Sequence, residues 1–253
     1  MSFRGLLGRR PEATSGPARV LTVLGMHRSG TSSLVGSLEA AGLPLGEVQT
    51  RSARTNQRGH REPNELIALH EDVLITSGGA WHLPPPRVRW SDKQRARRAE
   101  FIASREGLPL GGGKEPRTLL VLDGWLEAVP ELELVATFRH PVVVALSLQR
   151  RHGGDSADMW LELWLAYNAR LLELLEARGF PVIDFDLPEA AYGARLRAIV
   201  EELRLPTAAA AEAFFDGSLR TSQKQAPDDA DLPAEVRRAY DRLREIAAAQ
   251  AEG

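Results

Sequence analysis

The 253-residue chain has no cysteine. That excludes disulfides, thiolate metal sites and a cysteine nucleophile. Net charge is nearly absent too, since 32 Lys and Arg stand against 34 Asp and Glu, for a formal charge of −2. A chain this neutral carries no overall field for nucleic acid, so no nucleic-acid partner is expected and any basic patch must be local. No apolar run approaches the roughly 20 residues that span a bilayer. The opening stretch, MSFRGLLGRRPEATSGPAR, is too weakly apolar for a signal peptide. Residues 1–18 therefore read as a flexible leader, and the expected location is the cytoplasm. No grouping of His and carboxylates has metal-ligand spacing, so no metal is expected. No internal repeat and no long linker interrupts the remainder, so residues 19–253 read as one domain.

Apolar residues make up 43% of the chain, enough to build a core. Three short runs, 19–25 (RVLTVLG), 132–139 (LELVATFR) and 180–185 (FPVIDF), predict buried strands. Between and after them, helical spacing predicts helices over 29–41, 63–77, 91–105, 117–129, 141–151, 157–178 and 233–250. The 91–105 helix reads as basic and exposed, and residues 107–116 (GLPLGGGKEP) read as a Gly/Pro loop. Residues 44–61 are irregular and basic, with Arg51, Arg54, Arg58 and Arg61. Strands alternating with helices imply an α/β fold. Its central sheet is mainly parallel and flanked by helices, in a three-layer P-loop-like architecture.

Residues 25–33 read GMHRSGTSS and fall between a buried strand and a helix, which is the setting of a phosphate loop. Gly25 and Gly30 permit the tight turn. The amides from Arg28 through Ser29, Gly30, Thr31 and Ser32 can face an anion at the positive helix end. Thr31 and Ser32 add hydroxyls, and Arg28 adds a charged fork. Thr31 stands where an ATP- or GTP-hydrolysing loop has its lysine, which counts against a kinase-like enzyme. A Gly-rich turn with Ser and Thr caps is the plainer alternative.

Residues 139–147 read RHPVVVALS. Arg139 ends a strand and Ser147 lies two turns into the next helix, so both can face the carboxyl edge of the sheet, where open α/β folds bind ligands. The pair R-S-G-T-S and R-x-P-x-x-V-x-x-S resembles the sulfotransferases that use 3′-phosphoadenosine 5′-phosphosulfate (PAPS). The segments GHRE (59–62) and KEPR (114–117) resemble bacterial members of that family. The resemblance implies that residues 28–32 hold the 5′-phosphosulfate and that Arg139 and Ser147 hold the 3′-phosphate. It also implies PAPS as co-substrate, with PAP left as product. The acceptor is expected to be a hydroxyl on a saccharide or a secondary metabolite. The adenine-stacking Trp that many relatives carry at the position of Ser33 is absent, and Arg220 is a weak candidate for extra 3′-phosphate contact.

Sulfuryl transfer needs cations at the leaving phosphate and a base at the acceptor hydroxyl. Arg28 is the first candidate cation and Lys114, after three glycines, the second. Glu62 is the first candidate base, where relatives often place it, and His60 the second. Glu62 can equally be a carboxylate stabilised at a helix N-terminus, and Lys114 a solvated loop lysine. His70 reads as a core histidine, and Trp160 and Trp164 as core residues one turn apart. A non-catalytic nucleotide-binding module remains an alternative.

Overall fold

A computed structural model of the chain describes residues 18–50, 59–108, 110–153, 157–216 and 232–252. The expected leader other than Ala18, together with Arg51, Arg54, Arg58 and Arg220, lies outside the described residues. The elements run β1 (Val20–Leu24), α1 (Thr31–Ala40), α2 (Asn64–Thr76), α3 (Asp92–Ala103), β2 (Gly111–Lys114), α4 (Thr118–Ala128) and β3 (Glu133–Phe138). They continue with α5 (Pro141–His152), α6 (Asp158–Arg178), β4 (Val182–Asp184), α7 (Glu189–Glu202), α8 (Ala208–Phe214) and α9 (Ala234–Glu252).

The four strands are all parallel, in the order β2-β1-β3-β4. Their near-continuous apolar sequences suit a sheet covered on both faces, and successive side chains alternate between the covering layers. Leu21, Val23, Val135 and Ile183 pack with residues of α1, α7 and α8, such as Leu38, Ile199 and Ala211. Leu24, Leu134, Ala136, Phe138 and Val182 pack with the other layer, in which Val73, Leu122, Trp164 and Leu243 are buried. The chain leaves β1 toward β2 on one side and leaves β3 toward β4 on the other. A crevice between the carboxyl ends of β1 and β3 follows from that reversal.

Two local expectations need correction. Residues 111–114, expected as part of a loop, form the edge strand β2. Three glycines in a row disfavour a strand, but main-chain contacts on both sides override that preference. The Gly111 amide donates to the Arg19 carbonyl at 2.8 Å and the Gly112 amide to the Pro44 carbonyl at 2.9 Å. A side chain on Gly112 would start 2.6 Å from Leu43 Cγ, so only glycine lets the turn after α1 close over this edge. The second correction concerns α3, which is basic but not exposed throughout. Gln94 completes a capping box with Ser91, and Arg98 is buried, donating to the Gly124 carbonyl beside the Trp90 ring.

Among the described residues no helix is long and apolar enough to cross a membrane. Gly124 meets the same kind of constraint as Gly112, because a Cβ there would overlap the Trp90 indole. Gly124→Ala should destabilise the protein by about 1–3 kcal/mol through overpacking. Gly193→Ala on α7, where a Cβ meets nothing within 4 Å, should instead leave it unchanged or more stable by up to about 1 kcal/mol. Urea unfolding of both variants checks the contrast, and equal effects would refute the packing account.

Candidate functional site

The loop from Gly25 to Gly30 joins β1 to α1 across the crevice. Arg28 (φ 68°) and Gly30 (φ 87°) both take left-handed backbone conformations, which is uncommon for an arginine. Neighbouring chain holds the turn in place. Thr137 Oγ1 donates to the Ser29 carbonyl at 3.1 Å, and the Ser29 amide donates to the Met26 carbonyl at 3.2 Å. A Cβ at Gly30 would fall inside the Phe185 ring, so the loop lies directly on the residue that follows β4. Ser29 Oγ is buried and has no partner among the described residues.

Arg139 lies one residue beyond β3, and Ser147 lies on α5. The first loop meets the second motif directly, with Arg28 Nε donating to Ser147 Oγ at 2.9 Å. Arg139 bonds neither of them. Its Nε donates to Asp186 Oδ1 at 3.0 Å, its guanidinium lies over the Phe185 ring at 5.1 Å, and its Nη2 is buried without a partner among the described residues. Trp164 fixes the main chain here by donating from Nε1 to the Arg139 carbonyl at 3.0 Å. Burial, and then the charges of Arg151, Arg139 and Arg150, push the Arg28 guanidinium below its ordinary value. Several guanidiniums raising one another's energy make a site that favours an anion.

On the other side of the loop, Lys114 is 1% exposed rather than solvated. Register places it beside Val23 near the end of β1. Its Nζ donates to Glu62 Oε1 at 2.6 Å and to Ser32 Oγ at 3.0 Å, and Ser32 Oγ donates to the His60 carbonyl at 3.2 Å. Burial lowers the Lys114 ammonium from its usual range, against the opposing effect of Glu62. Glu62 is held by paired main chain, with the Arg61 amide donating to the Gln49 carbonyl and the Gln49 amide to the Glu62 carbonyl. Burial also lowers the His60 imidazole, against the raising effect of Glu62 and with help from the charges of Lys114, Arg151 and Arg28. The structure therefore brings Arg28 to Ser147, and Lys114 to Ser32, Glu62 and the His60 main chain, with Arg139 beside them on Phe185.

Several residues here escaped the sequence reading. Arg150 and Arg151 follow Ser147 by one helical turn, a spacing that could have found them. His27, which the sequence places inside the loop as a residue that shapes it, lies 4.7 Å from the Trp81 ring, and burial pushes its imidazole down to about 3, so it is neutral at physiological pH. Phe185 and Asp186 gave no signal of their own. His70, by contrast, lies in the core as expected. It accepts from Trp125 Nε1 at 2.9 Å through Nε2, which leaves Nδ1–H to donate to Glu115 at 2.7 Å. Among the described residues no group of three or more His, Asp or Glu side chains is placed to hold a metal.

Asp184, at the end of β4, is raised to about 6, chiefly by burial. A carboxyl raised in the fold but not in the unfolded chain stabilises the fold below about 4 to 6, and that contribution is lost as pH rises through about 6. Asp184→Asn keeps an acceptor for the Asp186 amide and removes the buried charge. Its melting temperature should exceed that of the parent at pH 8 and approach it at pH 4. Thermal unfolding across that range checks the sign, and a larger gain at pH 4 would refute it.

No protein-family model matches the chain, and no curated protein sequence does. Among solved structures, the sulfotransferase domain of the Synechococcus PCC 7002 olefin synthase is similar over 98% of both chains, at 17% identity and a TM-score of 0.50. A Mycobacterium avium sulfotransferase is similar over 96% of this chain and 78% of its own, at 17% identity and a TM-score of 0.51. The chain thus has the α/β fold of these sulfotransferase structures, a parallel sheet between two helical layers.

Proposed function

We propose that the protein is a sulfotransferase that moves a sulfuryl group from PAPS to a hydroxyl of a saccharide or other small-molecule acceptor. The observation that carries this reading is the meeting of two anion-seeking loops at one sheet edge. Arg28 reaches Ser147 at 2.9 Å, and beside them Arg139 keeps a buried, unpartnered Nη2. The fold shared with known sulfotransferases supports it. The donor set also fits the co-substrate, because a molecule with phosphate at two ends matches two separate cationic loops, and orphaned buried donors call for an acceptor.

In this reading Gly30, Thr31, Ser32 and the Ser29 amide cradle the 5′-phosphosulfate, and Arg139 and Ser147 take the 3′-phosphate. When bound, PAPS supplies a sulfuryl group whose bond to the phosphate oxygen breaks as the acceptor oxygen bonds to sulfur. Arg28 and Lys114 hold the charge that develops on the leaving phosphate. Glu62 takes the proton of the acceptor hydroxyl, with His60 as the alternative base. A carboxylate already paired with Lys114 is fixed in direction, which is what positioning catalysis requires. Thr31 at the place of the nucleotidase lysine speaks against the kinase-like alternative.

PAP at about 100 times its dissociation constant should add roughly 2.7 kcal/mol of stability. AMP at the same concentration should add much less, and Arg139→Ala should abolish the difference. Thermal unfolding reads all three, and stabilisation by ATP equal to that by PAP would overturn the reading. Glu62→Gln should lower turnover by about 10²- to 10⁴-fold while leaving PAP binding intact. Full activity in Glu62→Gln, with loss in His60→Ala, would move the base to His60. Full activity in both would exclude the two.

A further inference from the structure

Nothing in the sequence linked Asp186 to the site, yet it is the residue that Arg139 touches through hydrogen bonding. Its carboxylate is divided between two donors. Oδ1 accepts from Arg139 Nε at 3.0 Å, and Oδ2 accepts from the His140 amide at 2.9 Å. The carboxylate therefore does not form the two parallel bonds of a fork with the guanidinium. Here one oxygen holds the side chain, and the other holds the main chain of the same turn. The guanidinium is gripped by one edge only, and its Nη2 stays buried and unpartnered among the described residues.

The grip is itself anchored. The Asp186 amide donates to Asp184 Oδ1 at 2.9 Å, and the Phe185 amide donates to the Phe138 carbonyl at 2.9 Å. Residues 184–186 are thereby tied to the end of β3. Phe185 lies under the Arg139 guanidinium and also fills the space that a Gly30 side chain would need. The short segment after β4 thus sets both anion loops at once. A buried donor without a partner costs stability, and a ligand that meets it recovers that cost. A guanidinium with one edge already fixed also gives up less freedom when its other edge binds.

We infer that Asp186 is a positioning residue that confers selectivity for a nucleotide bearing a 3′-phosphate, by holding Arg139 with its free edge toward that group. The inference rests on the proposed function and deepens it. Electrostatics alone predicts the opposite sign. A carboxylate 3.0 Å from Arg139 offsets its charge, so deleting it should tighten the binding of any anion if orientation were unimportant.

Calorimetric titration of PAP and AMP separates the two accounts, applied to the parent, Asp186→Ala and Asp186→Asn. In Asp186→Ala the affinity for PAP should fall by about tenfold, the worth of one charge-assisted hydrogen bond, while AMP stays within about twofold. Asp186→Asn keeps an acceptor for Arg139, should fall between, and covers the case in which the alanine variant fails to fold. Tighter or unchanged PAP binding in the variants would overturn the inference, as would an equal loss for PAP and AMP. A parent protein that binds PAP no better than AMP would instead sink the sulfotransferase reading itself.

Discussion

The crowding of positive charge at one end of the sheet is the constraint on which the site depends. Arg28, Arg139, Arg150 and Arg151 lie close enough for the last three to depress the first. Arg28 and Arg139 are largely buried whereas Arg150 and Arg151 are exposed, so the repulsion falls most heavily on the first two, and the surrounding scaffold holds that pair in place. Two apolar layers supply that rigidity from either face of the sheet. Local bonds then fix the two buried ones separately, with Ser147 on Arg28 and Asp186 on Arg139. An arriving dianion would relieve that repulsion, in keeping with the proposed anion-binding role.

The same logic appears at the end of β2, where two adjacent residues face opposite layers. Lys114 turns toward α1 and bonds Ser32, whereas Glu115 is fully buried on the other side with His70 and Arg117. Burial opposes the charge on Glu115, but the His70 hydrogen bond and the Arg117 guanidinium prevail and hold its carboxyl below the usual range. The His70 ring is in turn capped by Trp125, so its two nitrogens are both satisfied. That closed network anchors the turn after β2 and, through it, the position of Lys114. A lysine on a flexible loop could not keep a 2.6 Å contact with Glu62 while remaining almost wholly buried.

The α/β class, the helix placements and the approach of the Arg28 loop to the segment carrying Ser147 were legible in the sequence because each rests on local periodicity or on a loop held between regular elements. β2 was not, because it forms through pairing with β1, reinforced by main-chain bonds to Arg19 and Pro44, rather than from the propensities of Gly111, Gly112 and Gly113. Lys114 was legible as a cation but not as a buried one, since burial follows from that unforeseen strand. Asp186 was invisible for a different reason. It lies 47 residues beyond Arg139, and no spacing rule connects a residue after one strand to a residue after its neighbour. Only the β3–β4 pairing, with Phe138 beside Asp184, brings them together.

The loop itself explains why the cation arrives from elsewhere. Thr31 is buried, and its methyl carbon lies 2.8 Å from where a Gly25 side chain would begin. The position that carries lysine in a nucleotidase loop is therefore occupied by a short buried side chain that presents no ammonium to a ligand. The next residue, Ser32, instead accepts from Lys114 across the sheet edge. The positive charge is delivered from a neighbouring strand, on a side chain already bonded to Glu62, so that the cation and the base candidate are set by one interaction. Moving the charge off the loop ties the geometry of the proposed anion site to that of the proposed base, and a loop-borne lysine would leave the two independent.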